Sequence, residues 1–241
     1  MRESAAGNQG PEWAADVLER REGRCGELVL RRSGEHLEVI ANGAFLISTA
    51  NEASSRALIA AALPQVGAAA LDVLIGGLGI GYALDEALAC ERVRRVTVVE
   101  LEPDIERWYR AHGGERAGRA AAGERAGRVA IVIGDVRDAL ISSAAGFDVV
   151  ALDTDNGPEW LVRDGNARLY SDEGIRLVRR SLRRGGAGVF WSPDRYPAFE
   201  ERLAAVFDRV VLASARDVME GKGHDYTMYV GLRGTGADDR G

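Results

Sequence analysis

The sequence predicts an α/β protein whose mainly parallel, doubly wound sheet follows a small antiparallel sheet. From residue 71 onward, short apolar runs alternate with segments of helical periodicity, a pattern typical of parallel strands with helices on both faces. Before that point, shorter segments flank the turn signals Ser33-Gly34 and Asn42-Gly43, which predicts antiparallel hairpins. A glycine-rich stretch at 76–81 follows the first apolar run and precedes a helical pattern, which indicates a strand, a tight turn and a helix.

The first quarter of the chain is predicted to be a small β-hairpin domain with a connecting helix, at 23–64. Residues 1–22 are polar and small, and we expect a flexible segment or a short helix there. Strands are predicted at 27–31, 36–40 and 44–48. A helix is predicted from residue 51 to residue 63, because Asn51 is a favourable N-cap and Pro64 lies beyond the end.

The main domain is predicted at 65–234 and is followed by a flexible tail at 235–241. Its parallel strands are predicted at 71–75, 96–100, 128–133, 148–152 and 187–191, and an antiparallel hairpin of 210–213 and 226–230 closes the sheet. Helices are predicted after the glycine stretch, at 103–109, from the Ser171 cap to Gly185-Gly186, and at 199–207. The unit Gly-Glu-Arg-Ala-Gly-Arg occurs at 114–119 and again at 123–128, and we interpret this segment as a lengthened surface loop.

Composition and charge narrow the range of functions. Hydrophobic residues make up 46% and charged residues 28% of the 241 positions, which is typical of a globular protein. No apolar run approaches the roughly 20 residues that cross a bilayer, and the first residues lack the apolar segment of a signal peptide, so we expect a cytoplasmic protein. The net charge of -6 argues against nucleic acid as the main partner. Cys25 and Cys90 show no metal-binding spacing, and we expect no metal.

Polar residues follow each predicted parallel strand, at the edge where ligands of open α/β sheets bind. The glycine stretch follows strand one, Glu100 ends strand two, and Asp135 follows strand three. Asp153 and Asp155 follow strand four. A glycine turn that opens a helix, followed about twenty residues later by an acid at a strand end, is the arrangement that binds a nucleoside and its ribose.

These motifs, in this order, resemble the polyamine aminopropyltransferases, the spermidine synthase family. The likeness covers roughly residues 26–232 and implies a Rossmann-like sheet of the S-adenosylmethionine-dependent methyltransferase type. It implies that the glycine loop holds the methionine-derived tail of decarboxylated S-adenosylmethionine, that Glu100 holds the ribose, and that Asp135 approaches the adenine. It also implies that Asp153, with Asp155, assists attack by an amine, and that the protein forms a homodimer. The full predicted cofactor site is Gly76, Gly77, Leu78, Gly79, Gly81, Glu100, Leu101, Asp135, Val136 and Asp153.

The residues agree with amine chemistry. A free amine is mostly protonated near neutral pH, since its unperturbed pKa is about 10, so a carboxylate is needed to orient it and accept its proton. Trp160, Tyr170 and Trp191 are candidates to wall the substrate pocket and to contact a cation through their π faces. Asn156 begins a segment that extends to residue 170 and resembles the loop that closes over the substrates in the family.

Three departures from the family pattern leave the reaction open. Gly79 stands where the family carries an aspartate, the Tyr-His pair of the helix before the domain is missing, and the motif after strand four is one residue shorter. Three hypotheses therefore remain. The first is an aminopropyltransferase with altered amine specificity. The second is an enzyme on intact S-adenosylmethionine, by methyl transfer, aminocarboxypropyl transfer or ring closure that releases methylthioadenosine. The third is a non-catalytic nucleoside-binding protein.

Overall fold

The N-terminal part of the structure is a four-stranded antiparallel sheet. A computed structural model of the chain describes residues 16–154, 167–219 and 222–236. The four strands are hydrogen-bonded in chain order: β1 (Asp16–Gly23), β2 (Gly26–Ser33), β3 (His36–Ala41) and β4 (Ala44–Ser48). The predicted turns after Ser33 and at Asn42-Gly43 both join neighbouring strands. The predicted small antiparallel sheet before the main domain is thus present.

The strand β1 corrects the prediction of a flexible segment or short helix up to residue 22. Its backbone pairs antiparallel with β2, with Arg20 opposite Val29 and Glu22 opposite Glu27. Most of its side chains are exposed, including Val17 and Leu18. Because β1 buries no apolar face, its sequence carries none of the alternation from which a strand is predicted.

The C-terminal part contains a seven-stranded sheet with the order β10-β11-β9-β8-β5-β6-β7. The strands from β5 to β9 pair parallel with one another, whereas β11 pairs antiparallel with both β9 and β10. This arrangement confirms the predicted α/β fold with a small preceding sheet. The strands are β5 (Leu71–Gly76), β6 (Val93–Glu100), β7 (Val129–Ile133), β8 (Phe147–Leu152), β9 (Leu182–Ser192), β10 (Arg209–Met219) and β11 (Lys222–Leu232).

Helices cover both faces of this sheet, and each face has its own apolar layer. Val73 and Ile75 of the central strand β5 pack on one layer, and Leu74 packs on the other, as alternation along a strand requires. No described helix is long and apolar enough to span a membrane. The helices are α1 (Glu52–Ala60), α2 (Tyr82–Ala89), α3 (Pro103–His112), α4 (Glu115–Arg125), α5 (Val136–Ser142), α6 (Ala167–Tyr170), α7 (Asp172–Ser181) and α8 (Pro197–Val206), with a 3-10 turn at Leu63–Gln65.

The segment predicted as a lengthened loop at 114–128 is mostly the helix α4. Alanine, glutamate and arginine dominate it, and these residues favour helix strongly enough to include two glycines. Glu124 also pairs with Arg110 of α3, which fixes α4 beside its neighbour. Gly118 and Gly123 lie inside this helix, whereas Gly114 and Gly127, with φ of 56° and 68°, lie just outside its two ends.

The end of α7 also differs from the prediction. Ser171 caps this helix as expected, because its Oγ accepts a hydrogen bond from the Gly174 N–H at 3.1 Å. The helix ends at Ser181, however, and Gly185-Gly186 lie inside β9. Gly185 has a φ of 77°, and a Cβ on Gly186 would lie 2.8 Å from the Asp148 carbonyl oxygen. These glycines therefore permit close packing of β9 on β8 and do not end a helix.

The two glycines of α4 give a matched pair for measuring stability. A Cβ on Gly118 would meet nothing within 4 Å, so Gly118→Ala is expected to raise the free energy of unfolding by about 0.5–1 kcal/mol through helix propensity. A Cβ on Gly123 would lie 2.6 Å from Val129 Cγ2, so Gly123→Ala should raise the free energy of unfolding less than Gly118→Ala does, or lower it. Urea unfolding of both variants checks this. Equal stabilisation by both would mean that α4 is not packed on β7 in this way.

Candidate active site

A cavity of about 590 Å³ lies over the carboxyl ends of β5, β6, β7, β8 and β9. Its floor is the edge of the seven-stranded sheet, and its other walls come from β2, the β3–β4 turn, β4, the first turn of α1 and the first half of β11. The volume lies in the usual range for small-molecule sites. The N-terminal sheet therefore closes the side of the edge that the parallel sheet alone would leave open.

The glycine loop forms the centre of the floor. Gly77 has a φ of 89°, and a Cβ there would overlap the carbonyl oxygen of Asp153. Gly79 has a φ of 51°, and a Cβ there would lie 2.5 Å from Ile47 Cδ1 of β4. Gly77 and Gly79 line the cavity. The loop thus has no room for side chains at the two positions where its backbone faces the ligand space.

The other three predicted loop residues shape the loop without lining the cavity. A Cβ on Gly76 would lie 2.8 Å from Leu152 Cδ2, and one on Gly81 would overlap the Tyr109 ring. Gly81 has a φ of 83° and precedes α2. Leu78 is buried, and its backbone N–H donates to Glu100. These residues hold the turn in place.

Glu100 ends β6 and points its carboxylate back at the glycine loop. Its Oε2 accepts from the Leu78 N–H at 2.8 Å, and its Oε1 accepts from the Glu102 N–H at 2.9 Å. The side chain is 7% exposed. Burial raises the pKa of Glu100, and hydrogen bonds from the surrounding backbone oppose that rise. The carboxylate thus binds the backbone of the glycine loop directly, and Glu100 lines the floor of the cavity.

Asp135 follows β7 and begins α5 as its N-cap. Its Oδ1 accepts from the Arg137 N–H at 2.8 Å, while the side chain remains exposed on the cavity wall. Leu101 and Val136 line the same region. An apolar slot with one free carboxylate oxygen is suited to a flat base that carries an amino group.

Asp153 follows β8 and lies between the glycine loop and the far side of the cavity. Its backbone N–H donates to the Gly76 carbonyl at 2.9 Å, which joins the ends of β5 and β8. Burial raises the pKa of Asp153 to about 6, and the negative charge of Glu100 adds to the rise. A carboxyl group with this pKa changes protonation state near neutral pH, as a general base must.

The predicted aromatic residues are not all in the cavity. Trp191 at the end of β9 lines it and stacks on Tyr226 of β11, with ring centroids 5.1 Å apart. The prediction that Tyr170 walls the pocket is wrong. Tyr170 is 2% exposed and packs edge-on against Phe199 in the apolar layer on the other face of the sheet. The predicted Asp155, Asn156 and Trp160 lie outside the described residues.

Several lining residues were not anticipated from the sequence. Asn51 was predicted as a helix cap, but its Nδ2 donates to the Tyr226 hydroxyl at 3.3 Å and its side chain makes no cap hydrogen bond. Asn51 therefore occupies the predicted N-cap position, but its side chain does not cap the helix. Nothing in the local sequence marks the others, because their place depends on how the two ends of the chain meet the sheet. They are Glu27, Ile47, Asn51, Ser54, Ser55, Glu102, His224 and Tyr226.

The charge of the cavity is strongly one-sided. Among the described residues, the lining contains five acids and neither lysine nor arginine: Glu27, Glu100, Glu102, Asp135 and Asp153. Glu27 forms an ion pair with Arg20, which is not part of the lining. The remaining carboxylates favour a cationic ligand over an anionic one. The described residues contain no group of three or more His, Cys, Asp or Glu side chains arranged to hold a metal ion.

Comparison with known proteins identifies relatives of one kind. The polyamine aminopropyltransferase of Mycobacterium tuberculosis is 30% identical over 188 residues, covering 76% of this chain and 34% of that protein. Polyamine aminopropyltransferase 2 of Hyperthermus butylicus is 30% identical over 145 residues, covering 56% of this chain and 44% of that protein. The chain thus spans about a third of the first relative and less than half of the second. No family model matches the chain.

Solved structures share the fold. Spermidine synthase from Thermotoga maritima superposes with a TM-score of 0.69 at 17% identity, covering 92% of this chain and 74% of that one. A spermidine synthase in complex with the transition state analogue AdoDATO gives a TM-score of 0.70 at 16% identity, covering 92% and 75%. At this level of identity, the similarity establishes the architecture of the chain.

Proposed function

We propose that this chain is a divergent, spermidine synthase-like member of the polyamine aminopropyltransferase family, and that it is a transferase acting on a sulfonium nucleoside. In the proposed reaction, decarboxylated S-adenosylmethionine gives its aminopropyl group to a cationic amine. The observation that carries the proposal is the acidic cavity over the glycine loop, whose described lining has five carboxylates and neither lysine nor arginine. Both proposed substrates are cations.

The order of strands along the sheet edge supports a division of the cavity into two halves. Glu100 and Asp135 lie at β6 and β7, on one side of the glycine loop, and we assign this half to the ribose and adenine. Asp153, Trp191 and Tyr226 lie at β8, β9 and β11, on the other side, and we assign this half to the acceptor amine. The sulfonium would lie between them, above the loop at Gly77 and Gly79.

The proposed chemistry is one displacement at carbon. Asp153 accepts a proton from the acceptor ammonium, and the freed nitrogen lone pair attacks the carbon next to sulfur. As the C–N bond forms, the C–S bond breaks and its electron pair stays on sulfur, which leaves as the neutral thioether methylthioadenosine. Positive charge moves from sulfur to the new secondary amine, which lies within reach of the carboxylates that line the cavity. The remainder of the rate enhancement would come from alignment of nitrogen, carbon and sulfur.

A product analysis tests this function. The protein is incubated with decarboxylated S-adenosylmethionine and aliphatic diamines, and the nucleoside and amine products are identified by mass spectrometry. Methylthioadenosine together with an amine heavier by one aminopropyl group supports the proposal. If no nucleoside forms and no sulfonium ligand raises the melting temperature, the proposal is wrong. Light scattering of the same sample tests the homodimer, which is proposed from the family resemblance alone.

One observation favours a second candidate, an enzyme on intact S-adenosylmethionine. The glycine loop carries no acid at Gly79, and Ile47 occupies the space beside it. An acid there would repel the carboxylate of the intact cofactor, so its replacement removes a barrier to that ligand. The same product analysis with S-adenosylmethionine separates the outcomes, since methyl transfer releases S-adenosylhomocysteine and arm chemistry releases methylthioadenosine.

The protonation state of Asp153 predicts how binding depends on pH. Its pKa is raised to about 6 in the free protein, so the group is mostly neutral below pH 6 and anionic above it. A sulfonium binds the anionic form better, so the affinity for decarboxylated S-adenosylmethionine is expected to rise by up to about tenfold from pH 5 to pH 7. Neutral methylthioadenosine should show no such rise. Calorimetry at four pH values measures both ligands.

The variant Asp153→Asn is the control for this pH dependence. It removes the titrating carboxyl, so the rise in sulfonium affinity between pH 5 and pH 7 should disappear. Persistence of the full rise in this variant would assign the dependence to another lining group whose pKa is raised, such as Glu100.

A further inference from the structure

The hairpin of β10 and β11 extends beyond the body of the sheet. The two strands pair with each other from Arg209 opposite Leu232 to Met219 opposite Lys222. In contrast, β9 pairs with β11 only as far as Ser192 opposite Thr227. Residues 215–219 and 222–226 therefore form a two-stranded extension, which we call the arm. Its described side chains include Asp217, which is buried, and Tyr226, which lines the cavity.

Asp217 binds the first turn of α1. Its Oδ1 accepts from the Ala53 N–H at 2.8 Å, and its Oδ2 accepts from the Ser54 N–H at 3.0 Å. The side chain is 4% exposed. Backbone N–H groups at the start of a helix have no partner within the helix, and a side chain near in sequence usually satisfies them. Here that partner comes from a strand more than 160 residues away.

The N-cap residue of α1 contacts the arm as well. Asn51 makes no cap hydrogen bond, and its Nδ2 donates to the Tyr226 hydroxyl of the arm. The arm and the first turn of α1 are thus joined twice, by Asp217 and by Tyr226. The residues near these two contacts line the cavity: Asn51, Ser54, Ser55 and Tyr226.

We propose that Asp217 is a positioning residue that sets the geometry of the acceptor half of the cavity. This inference rests on the proposed function, because it assigns the side of β8, β9 and β11 to the amine. Asp217 is not among the residues that line the cavity, so it acts through α1. The nucleoside half is built by β6, β7 and α5, which Asp217 does not contact through any hydrogen bond of its carboxylate. Loss of Asp217 is therefore expected to affect the two halves unequally.

Calorimetry on the full chain tests this with two probes. Methylthioadenosine reports the nucleoside half, and putrescine, added to the protein saturated with methylthioadenosine, reports the acceptor half. Asp217→Ala is expected to raise the Kd of putrescine at least tenfold and to change that of methylthioadenosine less than twofold. Asp217→Asn keeps one accepting oxygen and should fall between wild type and Asp217→Ala. Asp225→Asn, at an exposed arm residue, is the control and should change neither.

Each other outcome has a definite meaning. If Asp217→Asn raises the Kd of both probes by the same factor, Asp217 acts on overall folding and the inference is wrong. If it changes neither Kd, Asp217 does not act on the site and the inference is also wrong. Melting temperatures show whether Asp217→Ala folds. If it does not, the Kd values of Asp217→Asn decide whether the inference holds. If the wild-type protein binds methylthioadenosine but neither putrescine nor a longer aliphatic amine, the assignment of the acceptor half fails and the inference fails with it.

Discussion

Asp153→Asn is expected to lower kcat by about 10²–10⁴-fold, the usual contribution of a general base, while the Kd of methylthioadenosine changes less than threefold. Asparagine has nearly the same shape as aspartate, and the Asp153 backbone N–H that joins β8 to Gly76 is unaffected. The asparagine amide, however, cannot accept the proton of the acceptor ammonium. Steady-state rates with decarboxylated S-adenosylmethionine and calorimetry with methylthioadenosine measure the two effects separately.

Asp138→Asn is the matched control, because Asp138 is an exposed acid of α5 near the cavity and is not part of its lining. It should keep wild-type activity. If Asp153→Asn weakens nucleoside binding as much as it slows turnover, Asp153 binds the cofactor and its role as base is wrong. If it leaves kcat unchanged, another group accepts the proton.

The second large effect is expected from Gly77→Ala. The φ of 89° disfavours any residue with a Cβ, and the added methyl group would overlap the Asp153 carbonyl oxygen. A backbone oxygen on a neighbouring strand cannot move aside without opening the contact between β5 and β8. We expect the free energy of unfolding to fall by about 1–3 kcal/mol or more, as in overpacked cores. We also expect methylthioadenosine to bind at least tenfold more weakly.

Gly67→Ala serves as the control, since a Cβ there would meet nothing within 4 Å and its backbone needs no positive φ. Urea unfolding and calorimetry on both variants give the comparison. Wild-type affinity in a folded Gly77→Ala variant would show that the loop backbone does not approach the nucleoside, and the proposed cofactor site would have to be moved.

The parallel sheet was predictable because each of its strands is a short apolar run that ends at a polar residue. Glu100, Asp135 and Asp153 all follow such runs, and the topology alone brings them to one edge. Elements without a buried face were not predictable in this way. The exposed strand β1 shows no alternation, and the glycines of α4 suggested turns where helix-forming neighbours prevail.

The site was predictable only on the side formed by the parallel strands. Glycine turns and strand-end acids mark that side in the sequence. Ser54, Ser55 and Tyr226 reach the cavity through the packing of α1 against the arm, and neither segment carries a local signal of that contact. Tyr170 shows the opposite error, since an aromatic residue at the end of the predicted loop 156–170 was assigned to the pocket but packs in the core.

The walls of the cavity come from both ends of the chain, and this has a consequence for folding. Ile47 and Asn51 lie near the start, whereas His224 and Tyr226 lie almost two hundred residues later. Because synthesis proceeds from the N-terminus, a growing chain can complete the hairpins of the first sheet long before the arm leaves the ribosome. The nucleoside-binding state then forms last, through contacts of very high sequence separation, which are slow to form. A ligand that binds this cavity would therefore stabilise only chains in which the arm has already folded against α1.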